Sequence, residues 1–426
     1  MRRRGLRSLI WVALRDLFDQ STGFGRLAAV HVGMMAGDTL VTVSLAGSLF
    51  FSVSPTEAKS KVLAYLLLTF APFAVVSPLL GPLIDRSSQG RRILVAVSAA
   101  VRILLCWMMS RHLHSWLLFP EAFALLVASK LYVVTRGTLV PEMARSNQFG
   151  VSGVDLDAAG WPVRRASKDT GFAGFNAQLT LLGTGSALVM GAFGAAILKI
   201  FEAPGVLIAA SFVFTYTSLV ALRLHPPVRG STAAAVSWHA LSAEIDHVEV
   251  SWGLVAMSLL RFATGFLGFL LVFGLRHLNA GLGWYAAALS ATGVGSLVGL
   301  SIVTKIHGQR ADATLLAWSH LVLALATGFA ATRPSLGAQV MVAGVLGVVG
   351  AIAQPSFDSI TQQHVPLKAQ GRTFARFAVR QQLAWVLGSL IPVGVSMSFS
   401  AGDRLIAVTC LVVGLVYGLG RRFAKK

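Results

Sequence analysis

A chain of 426 residues that is 55% hydrophobic and only 12% charged, with a net charge of +19, is too apolar for a soluble domain, whose helices bury one stripe and show the rest to water. Its apolar runs of about 20 residues are each long enough to cross a ~30 Å hydrocarbon core as a helix, whereas the short alternating strands of a membrane β-barrel are not seen. The basic residues lie between the apolar runs and not on one soluble domain, which argues against nucleic acid as a partner and for lipid as the outer solvent.

Residues 1–26 form a basic leader carrying Arg2, Arg3, Arg4, Arg7, Arg15 and Arg26. Its Leu6, Leu9, Ile10, Leu14, Leu17 and Phe18 recur at helical spacing, which suits either a helix lying on the inner leaflet or an exposed basic tail. No cleavable apolar segment precedes the first span, so that span is expected to target the chain. Spans are expected near 27–52, 61–84, 93–110, 116–136, 172–198, 204–222, 252–275, 281–304, 313–332, 336–356, 374–399 and 404–420. That makes an all-α polytopic protein of about twelve helices. With the amino terminus inside, the inner segments hold roughly 25 Lys and Arg and the outer loops roughly 7, so both termini are expected in the cytoplasm, at a plasma (inner) membrane.

Between the fourth and fifth spans, residues 146–171 form a long polar insertion read as a tether. The stretch 223–251 follows the sixth span, opening with His225-Pro226-Pro227 and continuing with Trp238, Leu241, Ile245 and Val248 at helical spacing. It reads as an amphipathic linker between two halves, 27–222 and 252–420, with 421–426 as a basic tail. Its His239, Glu244, Asp246, His247 and Glu249 read as a solvated face in preference to metal ligands. Cys106 and Cys410 both fall inside spans, so neither a disulfide framework nor a metal site is expected.

Internal matches support two related halves. Gly81 is followed nine residues later by Gly90, and Gly299 by Gly308, an offset of 218 residues. Val140-Pro141 and Val365-Pro366 are offset by 225. The first of these places is a charged hairpin, Gly81 to Arg92, set between two apolar spans. Asp85 ends a helix there, where its charge opposes the helix dipole, so a retained acid implies a partner.

A Gly-x-Leu-x-Asp-Arg hairpin followed by Gly-Arg-Arg, between the second and third of twelve spans, resembles the signature loop of the major facilitator superfamily of secondary transporters. The matching residues are Gly81, Leu83, Asp85, Arg86, Gly90, Arg91 and Arg92. Two extra residues separate Arg86 from Gly90 compared with the usual loop, and Val303 stands in the second hairpin where Asp85 stands in the first. Arg136 followed by Val140-Pro141, and Val365-Pro366 followed by Gly371-Arg372, resemble loops of efflux-type branches. The resemblance implies two pseudo-symmetric six-helix halves around a central cavity, worked by alternating access. It also implies a latch in which Asp85 meets the start of the eleventh helix while the cytoplasmic side is closed.

No phosphate-binding loop occurs, so neither ATP nor another cofactor is expected. A proton moving down ~100 mV supplies about 2.3 kcal/mol. Asp38 in the first span is the leading proton site, because a charge within a span is costly and usually faces a cavity. Arg102, Lys130 and Arg261 are also deep, with Glu121 nearer the outer face. A fixed salt bridge to Arg102 or Lys130 is the structural alternative for Asp38. Asn176, Gln178, Gln354 and Asp358 could line the same path, and His31 and His320 could relay protons or simply pack. Glycines 183, 185, 191 and 194, and 293, 295 and 299, suit close or sliding helix contacts. Ala192 follows Gly191 where drug and proton antiporters of the family carry a Gly-Pro pair.

The expected function is secondary transport exporting a small amphipathic molecule in exchange for protons. Its partners are membrane lipids, the substrate and the coupling proton. Import or lipid flipping on the same fold is the nearest alternative. A transport-inactive receptor, or a membrane enzyme, comes from a different class; an enzyme would need clustered carboxylates or a His-rich motif, so enzymatic activity is not expected.

Overall fold

Within hydrocarbon every backbone N–H and C=O must be bonded internally, and long apolar runs meet that demand as helices. The computed structural model describes residues 22–49, 88–113, 115–148, 172–224, 248–303, 309–365 and 370–423. They form ten helices: α1 Gly23–Leu49, α2 Ser88–His112, α3 Leu118–Gln148, α4 Phe172–Leu222, α5 Val248–His277, α6 Leu282–Val303, α7 Gln309–Thr332, α8 Leu336–His364, α9 Gln370–Gly394 and α10 Phe399–Phe423. Among the described residues nine are long and apolar enough to cross a membrane. The exception, α9, carries Arg372, Arg376 and Arg380 in its first half. The protein is an integral, multi-pass membrane protein. The expected second span, and Gly81, Leu83, Asp85 and Arg86 of the hairpin, lie outside the described residues, as do nearly all of the leader, the insertion and the linker.

Helix α4 has 51 residues, which as one straight helix would measure about 75 Å, far more than one crossing needs. It is two arms joined at Glu202, whose backbone sits at φ 55 and ψ −170. In the first arm Gly183 lies against His31 and Gly194 against Leu40, so this arm runs parallel to α1. In the second arm Phe214 meets Gly37 and Thr217 meets Gly33, so the chain has reversed. Ser44 Oγ of α1 donates to the Ala203 carbonyl at 2.9 Å and pins the reversal. That φ/ψ region is almost exclusively glycine's, and Glu202 holds it only because its surroundings leave no alternative.

Other ends are fixed by ordinary capping. Thr22 Oγ1 accepts from the Gly25 N–H at 2.9 Å at the start of α1. Ser335 does the same for Ala338 at the start of α8, at 3.1 Å. Each cap satisfies one of the backbone donors that a helix start leaves open.

The described helices fall into two compact units, one holding α1–α4, the other α5–α8, α10 and all but the opening of α9. In the first, Phe24, Leu27, Met34, Cys106, Tyr132 and Phe214 are fully or almost fully buried in one continuous core. In the second, the helices approach to backbone contact. A Cβ at Gly295 or Gly299 would run into the carbonyls of Gly344 or Val348, and one at Gly347 into that of Thr292. This presses α6 onto α8. Gly265 and Gly388 do the same for α5 and α9, against the carbonyls of Trp385 and Phe262. Gly185 and Gly293 meet nothing within 4 Å, so only some of the expected small-residue positions are contacts. Outside, Leu188, Val189, Phe212, Leu289, Leu325 and Val408 are exposed. Large apolar side chains outside and polar ones inside are what a lipid solvent selects.

Candidate functional site

Each unit holds a group of interior polar side chains that includes residues expected from the sequence. In the first unit Asp38 stands on α1, Arg102 on α2 and Ser129 on α3. Arg102 NH1 lies 3.2 Å from Asp38 Oδ1, and Ser129 Oγ donates to Asp38 Oδ2 at 2.8 Å. The Arg102 side chain is 0% exposed and that of Asp38 24%. The same guanidinium donates to the Met34 thioether at 3.1 Å and lies 5.2 Å from the centre of the Phe214 ring. A buried cation is thus held by one carboxylate, one soft acceptor and one aromatic face.

The group continues two turns along α1, since His31 and Asp38 are seven residues apart and share a face. His31 Nδ1 is 2.9 Å from the Tyr132 hydroxyl, and Arg136 NH1 is 3.3 Å from His31 Nε2. Arginine can only donate, so His31 Nε2 accepts and Nδ1 carries the hydrogen that points to Tyr132. Ser129, Tyr132 and Arg136 are spaced by three and four on α3, forming one polar seam against α1.

In the second unit Arg261 of α5 donates through NH2 to Gln354 Oε1 of α8 at 2.7 Å, and Gln354 Nε2 donates to Asp358 Oδ1 at 2.7 Å. A cation and an anion are linked here by an amide relay. His320 on α7 is fully buried, its Nδ1 2.9 Å from the Leu316 carbonyl and its Nε2 3.0 Å from that of Ala256 on α5. It ties α7 to α5, a packing position.

The structure therefore brings together Asp38 with Arg102, and Arg261 with Gln354 and Asp358. It places Asn176 buried, and Gln178 and Lys130 half-buried, on α4 and α3. Glu121 pairs with His112, its Oε1 2.6 Å from Nδ1, at the α2–α3 turn. Of the hairpin residues, Gly90, Arg91 and Arg92 lie in the opening turns of α2, with Arg91 buried. Sequence reasoning missed Met34, Ser129, Tyr132 and Phe214. The three-and-four spacing of Ser129, Tyr132 and Arg136 was the available signal.

No protein-family profile matches the chain. An uncharacterised protein of Mycobacterium leprae is 26% identical over 441 residues, covering 95% of this chain and 72% of its own. Solved structures align almost end to end. The human organic anion transporter MFSD10 gives a TM-score of 0.67 at 14% identity, over 92% of this chain and 99% of its own. A bacterial homologue of the iron transporter ferroportin, in an outward-facing state, gives 0.66 at 14%, over 95% and 100%. A major facilitator superfamily transporter, FucP, in the outward conformation, gives 0.62 at 12%, over 93% and 98%. The fold is that of the major facilitator superfamily. At these identities the likeness to superfamily transporters is a likeness of fold.

Proposed function

We propose that the protein is a secondary transporter of the major facilitator type, exporting a small amphipathic organic molecule in exchange for protons by alternating access. The observation that carries this reading is the Asp38–Arg102–Ser129 group, an acid and a base paired deep inside a transporter-like fold. Protonating Asp38 removes its attraction for Arg102. It thereby loosens α1 from α2 and α3. A substrate whose donor or cationic group binds the ionised Asp38 competes with the proton for that carboxylate, which is the linkage that exchange requires.

Twelve spans in two six-helix halves are part of the proposal. Contacts of both α1 and α2 with the second arm of α4 run antiparallel, so α1 and α2 point the same way, as they would with one further crossing between them. Asp85, Arg86, Arg91 and Arg92 serve as the cytoplasmic latch, both termini lie in the cytoplasm, and the membrane is the plasma membrane. An organic cargo fits better than a metal ion, because among the described residues no three His, Cys, Asp or Glu side chains are placed to share one. The efflux direction rests on the resemblance of the Val140-Pro141 and Gly371-Arg372 segments to efflux-type loops.

The test is ligand-induced stabilisation of purified protein and an Asp38→Asn variant, at two pH values, against a panel of organic anions, drugs and lysolipids. A ligand class that raises the melting temperature of the wild type in a pH-dependent way, with the pH dependence lost in the variant, supports the reading. Equal stabilisation of both proteins at both pH values sinks proton coupling at Asp38.

A further inference from the structure

Two carboxylates of the second unit are bonded differently from Asp38. Asp312, in the first turn of α7, is 1% exposed, and Asp403, in the first turns of α10, is 0% exposed. Ser359 Oγ and Gln363 Nε2 of α8 both donate to the same oxygen of Asp312, Oδ2, at 2.7 and 3.3 Å. Gln339 Nε2 of α8 donates to Oδ2 of Asp403 at 2.6 Å. In each residue Oδ1 is buried with no hydrogen-bond partner. Asp38 Oδ1 likewise makes no hydrogen bond, but it lies 3.2 Å from the Arg102 guanidinium, which meets its charge. Asp312 and Asp403 have all their donors on one oxygen and, among the described residues, no cation at the other, an arrangement that a neutral acid, with one carbonyl and one hydroxyl oxygen, tolerates better than a carboxylate.

Among the described residues no cation reaches either acid. Around Asp312, His364 of α8 is turned to Glu249 of α5 at 3.2 Å, Asp358 to Gln354, and the Tyr417 hydroxyl of α10 lies toward Gly253 of α5. On its own helix His320 is engaged with two carbonyls. Around Asp403, Arg404 folds back onto Ser400, Arg333 of α7 lies over Phe329, and Arg276 and His277 of α5 are exposed. An ionised carboxylate sealed from water without a cation is far more costly than the same group carrying a proton.

We propose that Asp312 and Asp403 are proton-binding sites, each holding a proton on Oδ1 in this conformation and each joining α8 to a neighbouring helix as a neutral acid. Each site is a reversible one, in which a carboxylate and a proton from water form the acid and separate again when the helices part. The inference goes beyond the transport reading and does not depend on it, because it concerns bound protons and not cargo.

Infrared spectroscopy of the full-length protein in lipid nanodiscs reads the carbonyl stretch of protonated carboxyl groups directly. At neutral pH the wild type is expected to show that band. Asp312→Asn and Asp403→Asn each remove a share of it, the double variant removes it, and Asp38→Asn leaves it unchanged. No band in the wild type, or a band that survives in the double variant, overturns the proposal. A second readout needs no variant: dicyclohexylcarbodiimide, an apolar reagent for protonated carboxyl groups, followed by peptide mapping, is expected to label the peptides carrying Asp312 or Asp403. Label confined to other acids counts against the proposal. Failure of either test leaves the Asp38 stabilisation experiment untouched, so the two ideas fall separately.

Discussion

In the first unit an acid touches its base, whereas in the second an amide stands between them. Asp38 meets Arg102 at 3.2 Å, while Gln354 bridges Arg261 and Asp358 by hydrogen bonds to both. The two groups also match in sequence spacing. Asp38 is bonded to Ser129 and Arg261 to Gln354, pairs separated by 223 and 225 residues in sequence, close to the offset between the two Val-Pro pairs. Positions 38 and 261 thus carry opposite charges. A direct pair stakes everything on both partners, because the loss of either strands a buried charge. A relay spreads the cost, because an amide can turn to serve whichever charge remains.

The largest effect is expected where that comparison is sharpest. Arg102→Met leaves Asp38 without its cation and is predicted to destabilise the protein by about 3–5 kcal/mol, measured as a lowered unfolding midpoint in denaturant. Adding Asp38→Asn is predicted to restore most of that loss, and a double variant no better than the single one would break the comparison. Arg261→Gln is expected to cost less, about 1.5–3 kcal/mol, since it removes one charged hydrogen bond while Gln354 can still serve Asp358. Equal losses for the two arginines would mean that the relay buffers nothing.

Gly347→Leu tests whether the second group depends on how α8 lies on α6. Bulk placed against the Thr292 carbonyl is predicted to cost about 1–3 kcal/mol, and to shift the environments of Gln354 and Asp358 as seen by isotope-edited infrared spectroscopy. The smallest effect is expected from Ser129→Ala, which removes a single neutral donor from Asp38 for about 1 kcal/mol. A loss near that of Arg102→Met would make the hydroxyl, and not the guanidinium, the chief partner of Asp38.

Much of this was legible in the sequence because cost is legible. A charge inside an apolar run stands out, so Asp38, Arg102, Arg261 and Gln354 could be named, and the structural alternative for Asp38, a bridge to Arg102, is the contact observed. What could not be read was the neutral shell. Ser129, Tyr132 and Met34 are ordinary residues of membrane helices, and only the rotation of α3 and α1 about their axes decides that they face a charge. Asp312 and Asp403 escaped notice for another reason. Each sits near the start of a helix, where an acid reads as a surface charge favoured by the helix dipole. Their burial comes from the ends of α8, far away in sequence. The close contact of Gly295 and the open space at Gly293, two residues apart, make the same point: spacing suggests a packed face without saying which glycine is pressed.

Glu202 carries a consequence for how the chain is made. A reversal confined to one residue, tied by Ser44 to the helix beside it, leaves no slack between the two arms of α4. They have to enter the bilayer as a pair, because the first arm cannot settle at its depth while the second waits outside. Material added at that point, a glycan or an epitope tag, would have no loop to hang from and would wedge two helices apart. An insertion at this turn is therefore expected to lower the yield of folded protein, and the constraint is set by one backbone angle.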